Sequence, residues 1–213
     1  MLFFKLNFSF LKKTALWYNR TMILIVGLGN PGQIYRKTRH NFGWTILDLL
    51  QKKWKEEYGF SDWEESKKFR AKTSKGIFEN KTVILVKPLT FMNLSGQSVK
   101  SLIFYRKIEL KDLMVIHDDI DIPLGKIKIM KNRGTAGHRG VQSIISELGT
   151  KNFIRIRIGV KPEKGKPKDT DRFVLLKFGG KEEETVKKVA EKTVKAVETM
   201  IEKGLAKVMN EFN

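Results

Sequence analysis

The sequence predicts an α/β fold, a single domain built on a mixed β-sheet, and three observations carry that prediction. Residues 23–26, Ile-Leu-Ile-Val, form a short apolar run of the kind buried on both faces of a sheet. The run leads into Gly27-Leu28-Gly29-Asn30-Pro31-Gly32, whose glycines and proline impose tight turns. The same design, a strand followed by a segment rich in Gly, Asn, His or Asp and then a helix or hairpin, recurs three more times. Finally, 213 residues without an internal repeat or a linker suit one hydrophobic core.

The elements follow in order. Residues 1–21 precede a second methionine, Met22, and read as a disordered basic extension or a mis-called start, leaving 22–213 as the α/β domain. The extension lacks the long apolar core and small-residue cleavage site of a signal peptide. Leu47, Leu50, Trp54 and Tyr58 recur at helical spacing within residues 44–58. Residues 60–75 are charged and aromatic, and 76–86 alternate as a hairpin or paired strands. Residues 87–96, KPLTFMNLSG, form a second loop before a helix near 98–105. Residues 113–117 are a third buried strand, followed by a loop over 118–125. A basic strand at 126–131 precedes a glycine-rich loop at 132–140 and a short helix at 141–148. Residues 153–160 alternate as a half-buried strand, with Arg155 and Arg157 on one face and Ile154, Ile156 and Ile158 on the other. A Lys/Pro/Gly-rich mobile loop (161–171) and a terminal helical region (181–212) complete the chain. If three of the strands run parallel side by side, their carboxyl ends bring the first three loops together.

Gly27-x-Gly29-x-x-Gly32 matches the dinucleotide-binding fingerprint, but its context argues against that reading. Pro31 precedes the last glycine, eleven helix-poor residues follow it, and no second strand ends in an acidic residue for a ribose. No Gly-Lys-Ser/Thr follows, which excludes a Walker-type phosphate loop. The chain has no cysteine, so disulfides and thiolate metal sites are impossible, and a reducing, cytoplasmic location is expected. Its three histidines have no helical metal-ligand spacing, so no metal and no cofactor is expected. No apolar run approaches a membrane span.

The formal net charge of +19 implies a polyanionic partner, with nucleic acid favoured over a membrane surface. The excess concentrates in residues 67–107, 126–139 and 151–172, beside the glycine- and histidine-bearing segments, whereas 181–207 is nearly balanced. The loops offer Asn30, His40, Asn93, Asp118, His138 and Arg139. A histidine beside a carboxylate serves as a general base, and asparagine amides bind carbonyls and amines without titrating. With no cysteine and no serine elbow, water is the natural nucleophile and hydrolysis the natural reaction. Each residue also has a plainer reading: Asn30 and Asn93 as caps, Met92 and Phe91 as core, Arg139 as solvated, and Asp118-Asp119-x-Asp121 as turn chemistry or a cation site.

GLGNPG…Y…TRHN, KPLTFMNLSG, HDDIDIPLG, GHRG and F-x-R-x-RIG together, in this order and spacing, resemble the bacterial-type peptidyl-tRNA hydrolase family from Met22 to the C-terminal helix. The resemblance implies a monomeric, metal-free enzyme with a twisted mixed sheet surrounded by α-helices. It implies cleavage of the ester between a peptide and the 3′ ribose of tRNA, which returns tRNA from stalled translation. By position, His40 resembles the proton acceptor that activates water, and Asp118 its orienting carboxylate. Asn30 resembles the group that senses the blocked amino end of the substrate. Asn93 resembles a substrate-binding amide that polarises the ester carbonyl. Tyr35, Phe91 and Met92 match the cleft for the tRNA 3′ end, with His138 and Arg139 beside it. Arg157, with Lys128 or Lys131, matches a basic clamp for tRNA phosphate. One departure stands out: family members often carry Asn where this chain has Arg139, which cannot accept a hydrogen bond. Two other classes compete: a non-catalytic RNA-binding protein on the same fold, and a nucleotide-dependent oxidoreductase.

Overall fold

The computed structural model describes residues 21–213, so the reading of the first twenty residues lies outside it. Strand β1 (Met22–Gly27) has Leu24, Ile25 and Val26 fully buried, because both faces of the strand meet helices. Ile23 and Ile25 point to a core shared with helix α1 (Phe42–Tyr58) and the long C-terminal helix α5 (Glu183–Phe212). Leu24 and Val26 point to the opposite core, built with α2 (Ser95–Arg106) and α3 (Arg139–Leu148). The result is a three-layer α/β/α sandwich.

The remaining strands are β2 (Glu64–Ser66), β3 (Ala71–Phe78), β4 (Lys81–Pro88), β5 (Leu113–Pro123), β6 (Ile127–Lys131) and β7 (Ile154–Lys161). Seven strands form one sheet in the order β2-β3-β4-β1-β5-β7-β6. The inner four, β4, β1, β5 and β7, are parallel, and the flanking pairs are antiparallel. The mixed sheet surrounded by helices is the fold class expected. Strands β4, β1 and β5 are adjacent, so the segments after their carboxyl ends meet at one end of the sheet.

Three sequence expectations are corrected. Residues 118–123 are not a loop: β5 continues through them, because Asp118 and Asp119 stay in parallel register with Ile158 and Gly159 of β7. Strand β7 is not half-buried, since Arg155 is only 1% exposed, lying beside Met130, its register partner on the edge strand β6. Within residues 161–171, Thr170 and Asp171 open a short helix, α4 (Thr170–Val174), capped by the Asp169 carboxylate, which accepts from the Arg172 N–H at 3.0 Å. Helix α5 is broken at Gly204, whose φ of 81° is open to glycine, and Lys81 Nζ donates to the Ile201 carbonyl just before the break.

One close approach positions the site. A Cβ on Gly27 would lie 2.4 Å from the Gly43 carbonyl oxygen, and one on Gly43 would lie 2.5 Å from the Ile116 carbonyl oxygen. Only glycine at both positions lets the start of α1 touch the end of β1 and the β5 backbone at Ile116. The residues just before α1, including His40, are thereby held against β5.

Candidate active site

A cavity of about 360 Å³ opens at the carboxyl end of the parallel strands. Asn30, His40, Phe91, Met92, Asn93, Asp118, His138 and Arg139 all line it. Each parallel strand end supplies a share: β1 leads to Asn30 and His40, β4 to Phe91–Asn93, and β5 carries Asp118 itself. Tyr35 lies outside the lining, on the 3-10 turn Gln33–Tyr35. Lys128, Lys131 and Arg157 also lie outside it, on the β6–β7 edge.

Asp118 is the hub. Its carboxylate is buried, with both oxygens within reach of His40 Nδ1, at 3.0 and 3.1 Å, and Oδ1 also 3.0 Å from His138 Nε2. The protons can be placed by elimination. His138 caps α3, its Nδ1 accepting from the Gly140 and Val141 N–H groups at 3.1 and 3.3 Å. Nδ1 therefore carries no proton, and Nε2 must donate to Asp118. His40 Nδ1 likewise donates to Asp118, which leaves its Nε2 as the ring nitrogen free to take a proton.

The electrostatics follow from this arrangement. Burial raises the Asp118 pKa, but His40 and His138 outweigh it and hold the carboxyl well below the usual carboxylate range. Burial pulls the His40 pKa down, yet the Asp118 charge and hydrogen bond prevail and leave it above the ordinary 6.5. His138 is lowered, burial outweighing Asp118. His117, fully buried, is lowered further by burial and by His138 beside it, and its Nδ1 donates to the Asp118 carbonyl at 2.6 Å. One histidine is raised and two are lowered, with His40 and His138 sharing the Asp118 carboxylate.

His40, Asp118 and His138 also lie close enough to suggest a metal centre, their ligand atoms being within 4.8 Å of one another. The donor set does not fit. His138 Nε2 holds the proton its capping role demands, and a protonated nitrogen has no lone pair for a metal.

Asn30 and Asn41 are oriented just as firmly. Asn30 Oδ1 accepts from the Met92 N–H at 2.8 Å, so its side-chain NH₂ is free for a ligand carbonyl. Asn41 fixes the Asn30 backbone from both sides: its Oδ1 accepts from the Asn30 N–H and its Nδ2 donates to the Asn30 carbonyl, each at 2.9 Å. Asn93 is exposed at the cavity mouth, Phe91 is exposed beside it, and Met92 is buried below. Arg139, also exposed, pairs with Asp171 of α4 across the opening.

Local sequence signals do not assign the tertiary roles of several contributors. Asn41 stands inside the same motif as His40. Arg39 is buried, donates to both Glu182 carboxylate oxygens at 2.7 Å and to the Leu176 and Lys177 carbonyls, and sits over Phe173 at 4.3 Å. It ties the His40 turn to a segment some 140 residues away. Asp119, buried at the cavity wall, accepts from Arg157 Nε at 2.5 Å. Lys128 is the register partner of Arg157 and shares its face, whereas Lys131 alternates to the other.

Against known proteins, a family model described as peptidyl-tRNA hydrolase matches residues 24–213. A peptidyl-tRNA hydrolase of Thermodesulfovibrio yellowstonii is 41% identical over 200 residues, covering 90% of this chain and 99% of that one. One of Bacillus subtilis is 42% identical over 192 residues, covering 90% and 98%. The crystal structure of peptidyl-tRNA hydrolase from Acinetobacter baumannii superposes with a TM-score of 0.79 at 31% identity, covering 89% of this chain and 93% of that one. Fold, length and sequence agree throughout the described domain: the chain belongs to the peptidyl-tRNA hydrolase family of enzymes.

Proposed function

We propose that the protein releases tRNA from peptidyl-tRNA, or from N-blocked aminoacyl-tRNA, by attack of a water molecule on the ester to the 3′ ribose, with His40 as general base. The observation that carries this reading is the His40–Asp118 contact. It spends Nδ1 on a permanently ionised carboxylate and turns Nε2 into the cavity's proton acceptor. His40 Nε2 takes a proton from water as the water oxygen bonds to the ester carbonyl carbon. Asp118 stabilises the imidazolium, and the side-chain amide of Asn93 donates to the carbonyl oxygen as charge develops there. Collapse of the tetrahedral intermediate breaks the bond to the 3′ oxygen, which receives the proton from His40. The Asn30 amide, aimed by Met92 and Asn41, binds the carbonyl of the blocked amino end and so separates this substrate from ordinary aminoacyl-tRNA.

The terminal adenosine rests on the Phe91–Met92 wall, with Arg139 at the mouth, and Tyr35 acts from the adjoining turn. The tRNA backbone follows the β6–β7 edge. Since Arg157 is paired with Asp119 and Arg155 is buried, the exposed positive charge there comes from Lys128, with Lys131 on the opposite face. The free enzyme is read as a monomer of the cytoplasm that recycles tRNA left by stalled ribosomes, with no metal or cofactor in the step.

Acyl release from N-acetylated and free aminoacyl-tRNA, measured side by side in EDTA, tests this reading. Fast cleavage of the blocked substrate alone supports it. Binding of tRNA without cleavage of either substrate would replace it with the RNA-binding class.

A further inference from the structure

His138 lines the cavity, yet both of its ring nitrogens are committed within the protein: Nδ1 accepts two backbone N–H groups of α3, and Nε2 donates to Asp118. A residue so placed has no nitrogen left to offer a substrate. We infer that His138 is a positioning residue of fixed tautomer, acting through Asp118. Its N–H holds the Asp118 carboxylate in the rotamer that serves His40 and takes up part of the charge that His40 would otherwise feel. The inference rests on the reading of His40 as the base.

The geometry makes the consequence directional. His40 and His138 stand on either side of one carboxylate, their ring centroids 4.8 Å apart, and His117 stacks edge-on to His138 at 4.6 Å. The other charged groups facing this cluster are Asp119 and Arg155 from the sheet, Arg139 from α3 and Asp171 from α4. Arg139 and Asp171 act on His40 in opposite senses and pair with each other. Removing the His138 N–H leaves Asp118 less neutralised, so the imidazolium of His40 is held more tightly and a higher pH is needed to free the base.

Two substitutions separate the halves of His138. In His138→Asn the amide oxygen stands in for Nδ1 and keeps the helix cap, but the side chain is too short to reach Asp118. In His138→Gln the amide nitrogen stands in for Nε2 and restores the donation. The test is the pH dependence of kcat on N-acetyl-aminoacyl-tRNA, together with the His40 titration followed by NMR, with only three histidines in the chain.

The Asn variant is expected to move the acid limb and the His40 titration upward by about one pH unit, with KM within about twofold, and the Gln variant to move both back. An unmoved limb in the Asn variant, or equal shifts in both variants, would overturn the positioning role. A wild-type enzyme with no acid limb would instead sink the His40 reading on which it rests.

Discussion

Asp118 and Asp119 are consecutive on β5 and both are buried, but alternation sends them to opposite faces of the sheet, where they meet different partners. Asp118 is shared by two imidazoles, groups that gain or lose a proton near neutrality. Asp119 is bound to the guanidinium of Arg157, which does not titrate in that range. The first carboxylate faces the cavity with a partner whose charge changes during a proton transfer. The second is locked in a fixed pair that joins the cavity wall to the basic edge. The difference assigns chemistry to one face and architecture to the other, and each half of that assignment can be broken separately.

The largest effect is expected on the Asp118 face. His40→Ala removes the base and lowers kcat by roughly 10²–10⁴, with tRNA affinity kept. Wild-type turnover in that variant would remove His40 from the mechanism. Asp118→Asn sharpens the point through a sign. With the carboxylate gone, burial is left to dominate the His40 environment, and its pKa falls below the ordinary 6.5 rather than lying above it. The acid limb of the rate profile therefore moves down in pH even as kcat drops. The same pair has a signature in stability. A raised histidine pKa stabilises the fold below the unfolded value, and that contribution disappears as pH rises through the folded one. Asp118, depressed in the fold, stabilises it above the unfolded carboxylate value and is lost only as pH falls toward its folded one. His117 and His138, both lowered by burial, add stability to the fold as pH rises over the same range, so the His40 contribution is read as a difference. In urea unfolding from mildly acidic to neutral pH, stability should rise more steeply in Asp118→Asn than in the wild type.

On the Asp119 face the expected loss is of stability first. Arg157→Ala strands a buried carboxylate and costs roughly 3–5 kcal/mol. Arg157→Met combined with Asp119→Asn removes both charges, and the double variant should recover most of that loss in urea denaturation. If the single variant unfolds at the wild-type urea concentration, the pair is not an architectural link. Arg155 sharpens the case: burial and the neighbouring Arg157 push its guanidinium down to about 10, so removing Arg157 relieves a like charge and offsets part of the penalty.

The same contrast explains what was legible in the chain. Local signals are strong where one segment determines its own structure: the apolar run of β1, the glycine turn after it, and the helical spacing of Leu47, Leu50 and Trp54. They suffice for the α/β fold and for placing Asn30, His40 and Asn93 at strand ends. Asp118 reads as a loop residue because acidic runs before proline usually turn; only its pairing with β7 keeps it in a strand. Arg155 and Arg157 read as an exposed face for the same reason, since alternation alone does not show that Met130 of β6 and Asp119 of β5 engage them. Arg39 with Glu182 and Asn41 with Asn30 are tertiary contacts, invisible to any local period. Tyr35, a motif neighbour of His40, lies on the turn outside the cavity lining, a placement that spacing alone does not fix.

The smallest expected effects lie at the mouth, where neither face is buried. Arg139 and Asp171 form an ion pair with both side chains about two-thirds exposed, a setting in which such pairs contribute 0–1 kcal/mol to stability. Neither Arg139→Asn nor Asp171→Asn should shift the urea midpoint measurably. Their effects on tRNA binding should nevertheless oppose each other. If Arg139 contacts a substrate phosphate, it must first leave Asp171. Asp171→Asn then frees the guanidinium and tightens binding at low salt. Arg139→Asn, which replaces the guanidinium by an uncharged amide, weakens binding and lowers the slope of log affinity against log salt by about one. Both variants moving the same way would mean that the pair holds α4 over the cavity and that the phosphate contact falls to the lysines of the β6–β7 edge alone.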